Sequence, residues 1–192
     1  MTAGVACASC GNLLRENAKF CDECGAPNAV SVDAAEYKQV TVLFADVVRS
    51  MHIAAALDVE RFREIMTDLM QRSAAVVQRY GGTVEQTGDG VMALFGAPVA
   101  LEDHAFRACL AALAIQEEAG RLAAEVARRD HVAMQLRVGL NSGRVIAGDM
   151  GSGSLGYTAT GEPVGFAQRM ESVAPPGGVM LSRCNQIGRA HV

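Results

Sequence analysis

The sequence predicts an α+β fold in which helices pack against one sheet, preceded by a small cysteine-based metal site. Three observations lead there. Two long segments repeat apolar residues at three- and four-residue spacings, and they alternate with short apolar runs of strand character. A Gly-Asp-Gly turn separates two of those runs, as in a hairpin. Four cysteines near the N-terminus fall into two Cys-x2-Cys pairs.

Bulk composition limits the function classes. The 192 residues suffice for one ordinary domain and a small appendage, and 50% hydrophobic with 20% charged residues is a globular balance. A formal net charge of −4 gives no electrostatic basis for broad nucleic-acid or membrane binding. The apolar runs are short and broken by charges, so no transmembrane segment is expected. The N-terminus MTAGVACASCGN lacks the basic and apolar regions of a signal peptide. A cytoplasmic chain is expected, whose reduced cysteines favour metal over disulfide.

Residues 1–28 are Cys/Gly-rich and too short for a core of their own, and residues 29–36 read as a linker. Apolar density rises from Tyr37, and residues 37–183 read as the main domain. Gln39 to Asp46 (QVTVLFAD) is nearly continuous in apolar residues, as in a strand buried on both faces. Asp58 opens a helix whose Phe62, Ile65, Leu69, Val76, Val77 and Tyr80 share one face, and Gly81 and Gly82 end it. TVEQ and VMALF flank the turn Gly88-Asp89-Gly90, and Pro98 closes the second of these strands. A further helix starts near Glu102 and Asp103 and runs to Arg128 and Arg129, charges that suit its two ends. Cys109 within it reads as a small core residue. In MQLRVGLN, Met134, Leu136, Val138 and Leu140 alternate onto one face, and Gly143 leads into a second strand, RVIAGDM. Residues 151–156 read as loop, 161–173 as a short helix, Pro175 to Gly178 as a turn, and VMLS as the start of a last strand. The resulting order, βαββαββαβ, is an α+β sandwich of the ferredoxin-like kind.

The last seven residues, Gln-Ile-Gly-Arg-Ala-His-Val, match what a common sequencing-library adapter encodes in one frame. Residues 184–192 are therefore expected to be a non-native tail, and the domain to be C-terminally truncated.

Cys7-x2-Cys10 and Cys21-x2-Cys24 are each followed by glycine, Gly11 and Gly25, which permits a tight turn around an ion. Paired thiolates at this spacing suit tetrahedral Zn²⁺, and four of them leave no open position for a substrate. A structural zinc ribbon is expected, and the segment points to no particular partner for it.

Two acids have positions that invite chemistry. Asp46 ends the first strand and Asp89 lies in the hairpin turn, and strand ends and hairpin tips can meet at one sheet edge. Two carboxylates there would bind Mg²⁺ or Mn²⁺, hard ions that prefer oxygen. Taken alone, each acid is equally an ordinary strand-end or turn residue.

The segments VTVLFADV, TGDGVMALFGAP, LEDHAFRACLAAL, LRVGLNSGRVIAG and GYTATGEPVGFAQRME together resemble, in order and spacing, the class III adenylate/guanylate cyclase catalytic domain. The chain looks most like bacterial soluble cyclases in which a zinc ribbon precedes that domain. The resemblance implies attack of a ribose 3′-oxygen on the α-phosphorus with release of pyrophosphate, assisted by two Mg²⁺ or Mn²⁺ ions per site. Asp46 and Asp89 match the family's metal aspartates, with the backbone carbonyl of Val47 as a further ligand. Arg169 matches the arginine that stabilises phosphate charge in the transition state. The family builds its sites across head-to-tail pairs, so a homodimer, or a heterodimer with another cyclase domain, is implied. One protomer would supply Asp46 and Asp89 and the other Arg169.

The chain also departs from the family's pattern. The lysine that reads adenine is absent: Glu85 or Gln86 takes its place in a segment one residue short. Its partner acid is Gly156, the ribose-orienting asparagine is Gly165, and a glycine after the first metal aspartate is Arg49. The resemblance implies conversion of ATP to cyclic AMP and pyrophosphate in intracellular signalling, weakened by these losses, with GTP an open substrate. The alternative is a catalytically degenerate module that binds nucleotide or dimerises to regulate a further domain.

Overall fold

Ten elements follow one another along the residues described by the computed structural model, which are 6–7, 9–15, 18, 20–26, 36–87, 90–149 and 157–183. They are β1 (Glu36–Val47), α1 (Ser50–Ala56), α2 (Val59–Arg79), β2 (Thr83–Thr87), β3 (Gly90–Phe95), α3 (His104–Asp130), β4 (Leu136–Asp149), β5 (Tyr157–Thr160), α4 (Glu162–Val173) and β6 (Val179–Leu181). The strands form one sheet in the order β2-β3-β1-β4-β5, with β6 pairing parallel to the first half of β4. The other pairings are antiparallel. The expected α+β architecture is therefore present.

Strand alternation divides the core in two. Leu43, Ala45 and Val47 of β1 face α2 and α3, together with Val91, Ala93 and Phe95 of β3 and Leu136, Val138 and Leu140 of β4. Val40 and Val42 face the other way, with Met92 and Leu94, onto Ala167 of α4. Burial on both faces is why β1 reads as an unbroken apolar run. The Asp58 side chain caps α2 by accepting the Arg61 amide at 2.8 Å. On α3 the buried stripe is mostly small, with Ala108, Ala111, Ala112 and Ala119 beside Ile115, Leu122 and Val126.

Several expectations need correction. MQLRVGLN and RVIAGDM are one continuous strand, β4, and the strand that follows it is β5 instead. Gly143 is no break: a Cβ there would meet Pro163 of α4 at 2.6 Å, so the glycine makes room for a helix. Gly139 does the same more tightly, with a Cβ falling 2.0 Å from the Glu171 amide nitrogen. Helix α1 was not expected, and Glu36 belongs to β1 rather than to the linker. Cys109 is half-buried rather than core, and burial pushes its thiol above the usual range. Gly156 and residues 184–192 lie outside the described residues. No helix among the described residues is long and apolar enough to cross a membrane.

Candidate active site and metal centre

The four cysteines near the N-terminus converge. Their sulfurs all lie within 4.8 Å of one another, with Cys7 to Cys24 at 3.7 Å and Cys10 to Cys21 at 3.6 Å. Zn–S bonds of about 2.3 Å put tetrahedral ligands about 3.8 Å apart, so the set fits a tetrahedral metal. Each knuckle closes in the same way: Gly11 donates to the Cys7 carbonyl, Gly25 to that of Cys21, and both glycines have positive φ. Amide donors at Cys10 and Ser9 lower the Cys7 thiol to about 6. Those at Cys24 and Glu23 lower Cys21. Cys10 is pushed up to about 12; the Asn12 amide favours its thiolate, but the Cys24 sulfur, burial and the other two sulfurs outweigh it. A divalent cation would remove that crowding by binding all four as thiolates.

The second site lies on the α4 face of the sheet, at the end where β1 stops. Cross-strand pairs Glu85↔Met92, Met92↔Phe44 and Phe44↔Gly139 form one row across β2, β3, β1 and β4. Asp46 stands two residues further along β1 on the same face, opposite Arg137 of β4. Its side chain is 34% exposed, and its Oδ2 lies 4.0 Å from Arg137 Nη2. Ala45 pairs with Val91, so Gly90 and the hairpin end of β2 and β3 lie at the Asp46 end of the sheet. Asp89 itself lies outside the described residues. An accessible carboxylate at a strand end is the kind of hard oxygen donor that Mg²⁺ or Mn²⁺ prefers, with the Arg137 guanidinium held aside by Glu171 and the Ser172 carbonyl.

Two further charged residues join this site that the sequence reading missed. Glu171 of α4 is 8% exposed at its side chain, and its Oε1 lies 3.1 Å from Arg137 Nε. Neither of those atoms makes an aligned hydrogen bond, so the pair is held by charge. Arg137 Nη1 donates to the Ser172 carbonyl at 3.1 Å, fixing the guanidinium between Glu171 and Asp46. Burial pushes the Glu171 carboxyl up, with Arg137 pulling against it and Asp46 adding to it. The signal was present: Glu171 is four residues from Ala167 on the buried face of α4, and Arg137 sits between Leu136 and Val138.

The remaining expected residues are distributed as follows. Val47 is buried and pairs with Leu136. Glu85 lies opposite Met92, and one of its carboxylate oxygens is buried with no hydrogen-bond partner among the described residues. Gln86 pairs with Val91. Gly165 on α4 faces open space, with nothing within 4 Å of a Cβ placed there. Arg169 is exposed and stacks over the Phe166 ring at 5.1 Å. It lies about 200° around α4 from the buried Ala167, so it faces away from the sheet that carries Asp46. Asp46, Glu85, Arg137 and Glu171 thus share one face within the chain, and Arg169 does not join them.

The sequence profile of the adenylate and guanylate cyclase catalytic domain matches residues 32–186. The chain is 34% identical over 154 residues to the soluble guanylate cyclase subunit beta-2 of Rattus norvegicus, covering 79% of this chain and 22% of that protein. It is 30% identical over 142 residues to adenylate cyclase 1 of Rhizobium meliloti (strain 1021), covering 73% of this chain and 21% of that one. The chain thus spans about a fifth of these curated relatives. The guanylate cyclase domain of RhGC from Catenaria anguillulae, solved in complex with GTP, superposes with a TM-score of 0.70 at 29% identity, over 79% of this chain and 82% of that one. With the fold and the profile in agreement over most of its length, this chain belongs to the adenylate and guanylate cyclase catalytic domain family.

Proposed function

We propose that the chain binds a purine nucleoside triphosphate, GTP in preference to ATP, and cyclises it at a site shared between two cyclase domains. The observation that carries this reading is Asp46 and Glu85 on one sheet face, beside the hairpin that carries Asp89. Mg²⁺ or Mn²⁺, held by Asp46, Asp89 and the Val47 carbonyl, would ease ionisation of the ribose 3′-hydroxyl and neutralise the leaving pyrophosphate. A new 3′-oxygen–phosphorus bond forms as the bond from the α-phosphorus to the bridging oxygen breaks. Pyrophosphate leaves with that electron pair, and the hydroxyl proton passes to water. Arg169 of a second domain meets the phosphate charge, which agrees with its outward direction in its own protomer.

Glu85 supports guanine over the adenine that the family resemblance suggested. A carboxylate is acceptor-only, and the guanine edge offers N1–H and a 2-amino group side by side. The adenine edge offers a single amino donor beside an acceptor nitrogen, which a carboxylate repels. A buried carboxylate oxygen lacking a partner gains most from such donors. In this reading residues 1–28 form a structural Zn²⁺ ribbon, 29–36 a linker and 37–183 the cyclase domain.

A second reading, a degenerate nucleotide-binding or dimerising module, is favoured by Gly165. The space beside it is open, so no packing demand explains why an orienting asparagine is missing. One experiment separates the two. The protein is incubated with Mn²⁺ and either GTP or ATP, and cyclic product is measured beside Asp46→Ala and Asp89→Ala. Cyclic GMP that disappears in both variants supports the cyclase. Nucleotide binding without product supports the module, and equal product in all three samples defeats the metal assignment.

A further inference from the structure

Resting on the cyclase reading, we propose that Arg49 is a substrate-binding residue that grips the outer phosphates of the triphosphate, and that its strained backbone is retained for that purpose. Arg49 begins α1 in the left-handed conformation, with φ 55° and ψ 43°, and its side chain makes no capping hydrogen bond. That region is the province of glycine, and the only local hydrogen bonds among the described residues are those its carbonyl accepts from the His52 and Ile53 amides. The family resemblance has glycine at this position, the residue that takes this backbone shape at least cost, so the arginine is this chain's own departure.

What the arginine adds is an uncommitted cation. Its side chain is exposed and makes no ion pair or hydrogen bond with the described residues. It lines a cavity of about 430 Å³ at the mouth of β1, together with Val48, His52, Ile53, Val132 and Gln135. The walls are largely apolar, and the polar groups, Arg49, His52 and Gln135, all offer hydrogen-bond donors. The cavity lies on the α2–α3 side of the sheet, as its lining by Ile53 and Val132 shows, while Arg49 stands three residues along the chain from Asp46, a stretch that spans at most roughly 10 Å. Asp46 would hold a cation that draws the substrate's phosphates to this end of β1, where a guanidinium at Arg49 could meet them. Arginine matches a terminal phosphate with paired donors, as neither glycine nor a metal ion does. Strain held in place by its surroundings and coupled to an unpaired charge at a cleft is the pattern expected where function opposes stability.

Arg49→Gly separates the two effects, because it relieves strain while removing charge. Binding of 3′-deoxy-GTP, which cannot cyclise, is titrated with Mn²⁺ alongside GMP, and thermal unfolding is followed on the same samples. The expected result is GTP-analogue affinity weakened about tenfold or more. GMP binding stays within about twofold, the salt dependence becomes shallower, and Tm stays level or rises by up to about 2 °C. Arg49→Lys keeps part of the affinity without the gain in Tm. Unchanged affinity in Arg49→Gly, or equal losses for the analogue and GMP, overturns the proposal while the cyclase reading stands. A fall in Tm of several degrees would make Arg49 a structural residue and also overturn it. If the unaltered protein binds no triphosphate with Mn²⁺, both the cyclase reading and this inference fail together.

Discussion

Replacing Gly139 by alanine tests how α4 is seated, and with it the position of Glu171 and Arg137 beside Asp46. The new Cβ would fall 2.0 Å from the Glu171 amide nitrogen, 2.5 Å from the Ala167 carbonyl oxygen and 2.6 Å from the Glu171 Cα. All three are backbone atoms, so no rotamer change can absorb the clash. Ordinary contact begins at 3.4 Å, so the helix must retreat by about 1.4 Å or the strand must bend. Overpacking of this kind costs about 3 kcal/mol, the upper part of the usual range. In a chain of 192 residues that lowers Tm by roughly 6–12 °C. A helix shift of this size also moves Glu171 and Arg169, and misplacement by about 1 Å can reduce turnover about 100-fold. Unfolding followed by circular dichroism, with cyclic product measured on the same samples, reads both effects. Gly120→Ala is the control: it lies in mid-α3 with nothing within 4 Å, and should raise stability by about 0.5–1 kcal/mol. A Gly139→Ala protein whose Tm stays within about 2 °C of the parent would refute the close seating of α4.

Other outcomes follow from the same geometry. Gly165→Asn has room for its side chain, and should raise turnover if the missing orienting contact limits the rate; unchanged turnover, measured at saturating nucleotide, favours the degenerate module. Glu85→Gln replaces one acceptor oxygen by a donor, and should reduce the preference for GTP over ATP by about tenfold or more in kcat/KM; an unaltered ratio removes Glu85 from base recognition. Asp130 is held below the usual aspartate range by the Arg61 guanidinium, which donates to it from Nε and Nη2. A depressed carboxyl stabilises the fold above its unfolded pKa and loses that contribution as pH falls through its folded value. Asp130→Asn should therefore flatten acid unfolding at and below about pH 4, and leave neutral stability lowered. Metal analysis should find one zinc per chain, lost in Cys10→Ser without loss of the cyclase domain's own unfolding transition.

The sequence was most legible where one residue type has one physical use. The long helices followed from apolar spacing, because a buried face fixes a period. Asp58 marked the start of α2 because its side chain caps that helix. The double Cys-x2-Cys pattern led to clustered sulfurs because few other structures require it. Glycine misled. Gly143 resembles a strand break, yet it accommodates Pro163 of a helix twenty residues later, a contact that no local reading contains. Helix α1 escaped because it is seven residues long, buries only Ile53, and starts at a left-handed arginine without a side-chain cap. Strand β5 was hidden by its four-residue length beside a Gly/Ser-rich stretch. The place of Asp46 near the end of β1 was legible from the apolar run before it. The register that sets Glu85 opposite Met92 was not legible, because it depends on how a shortened hairpin is absorbed. Arg137 and Glu171 look like stray charges until the two elements meet.

The most direct test is an electron paramagnetic resonance titration of Mn²⁺ against zinc-loaded protein with 3′-deoxy-GTP, beside Asp46→Ala. The account predicts that the parent protein sequesters Mn²⁺ beyond what the nucleotide alone binds, and that the variant sequesters no more than the nucleotide alone. Equal sequestration by both proteins, with the variant still folded, would contradict the claim that this strand-end carboxylate holds the working cation.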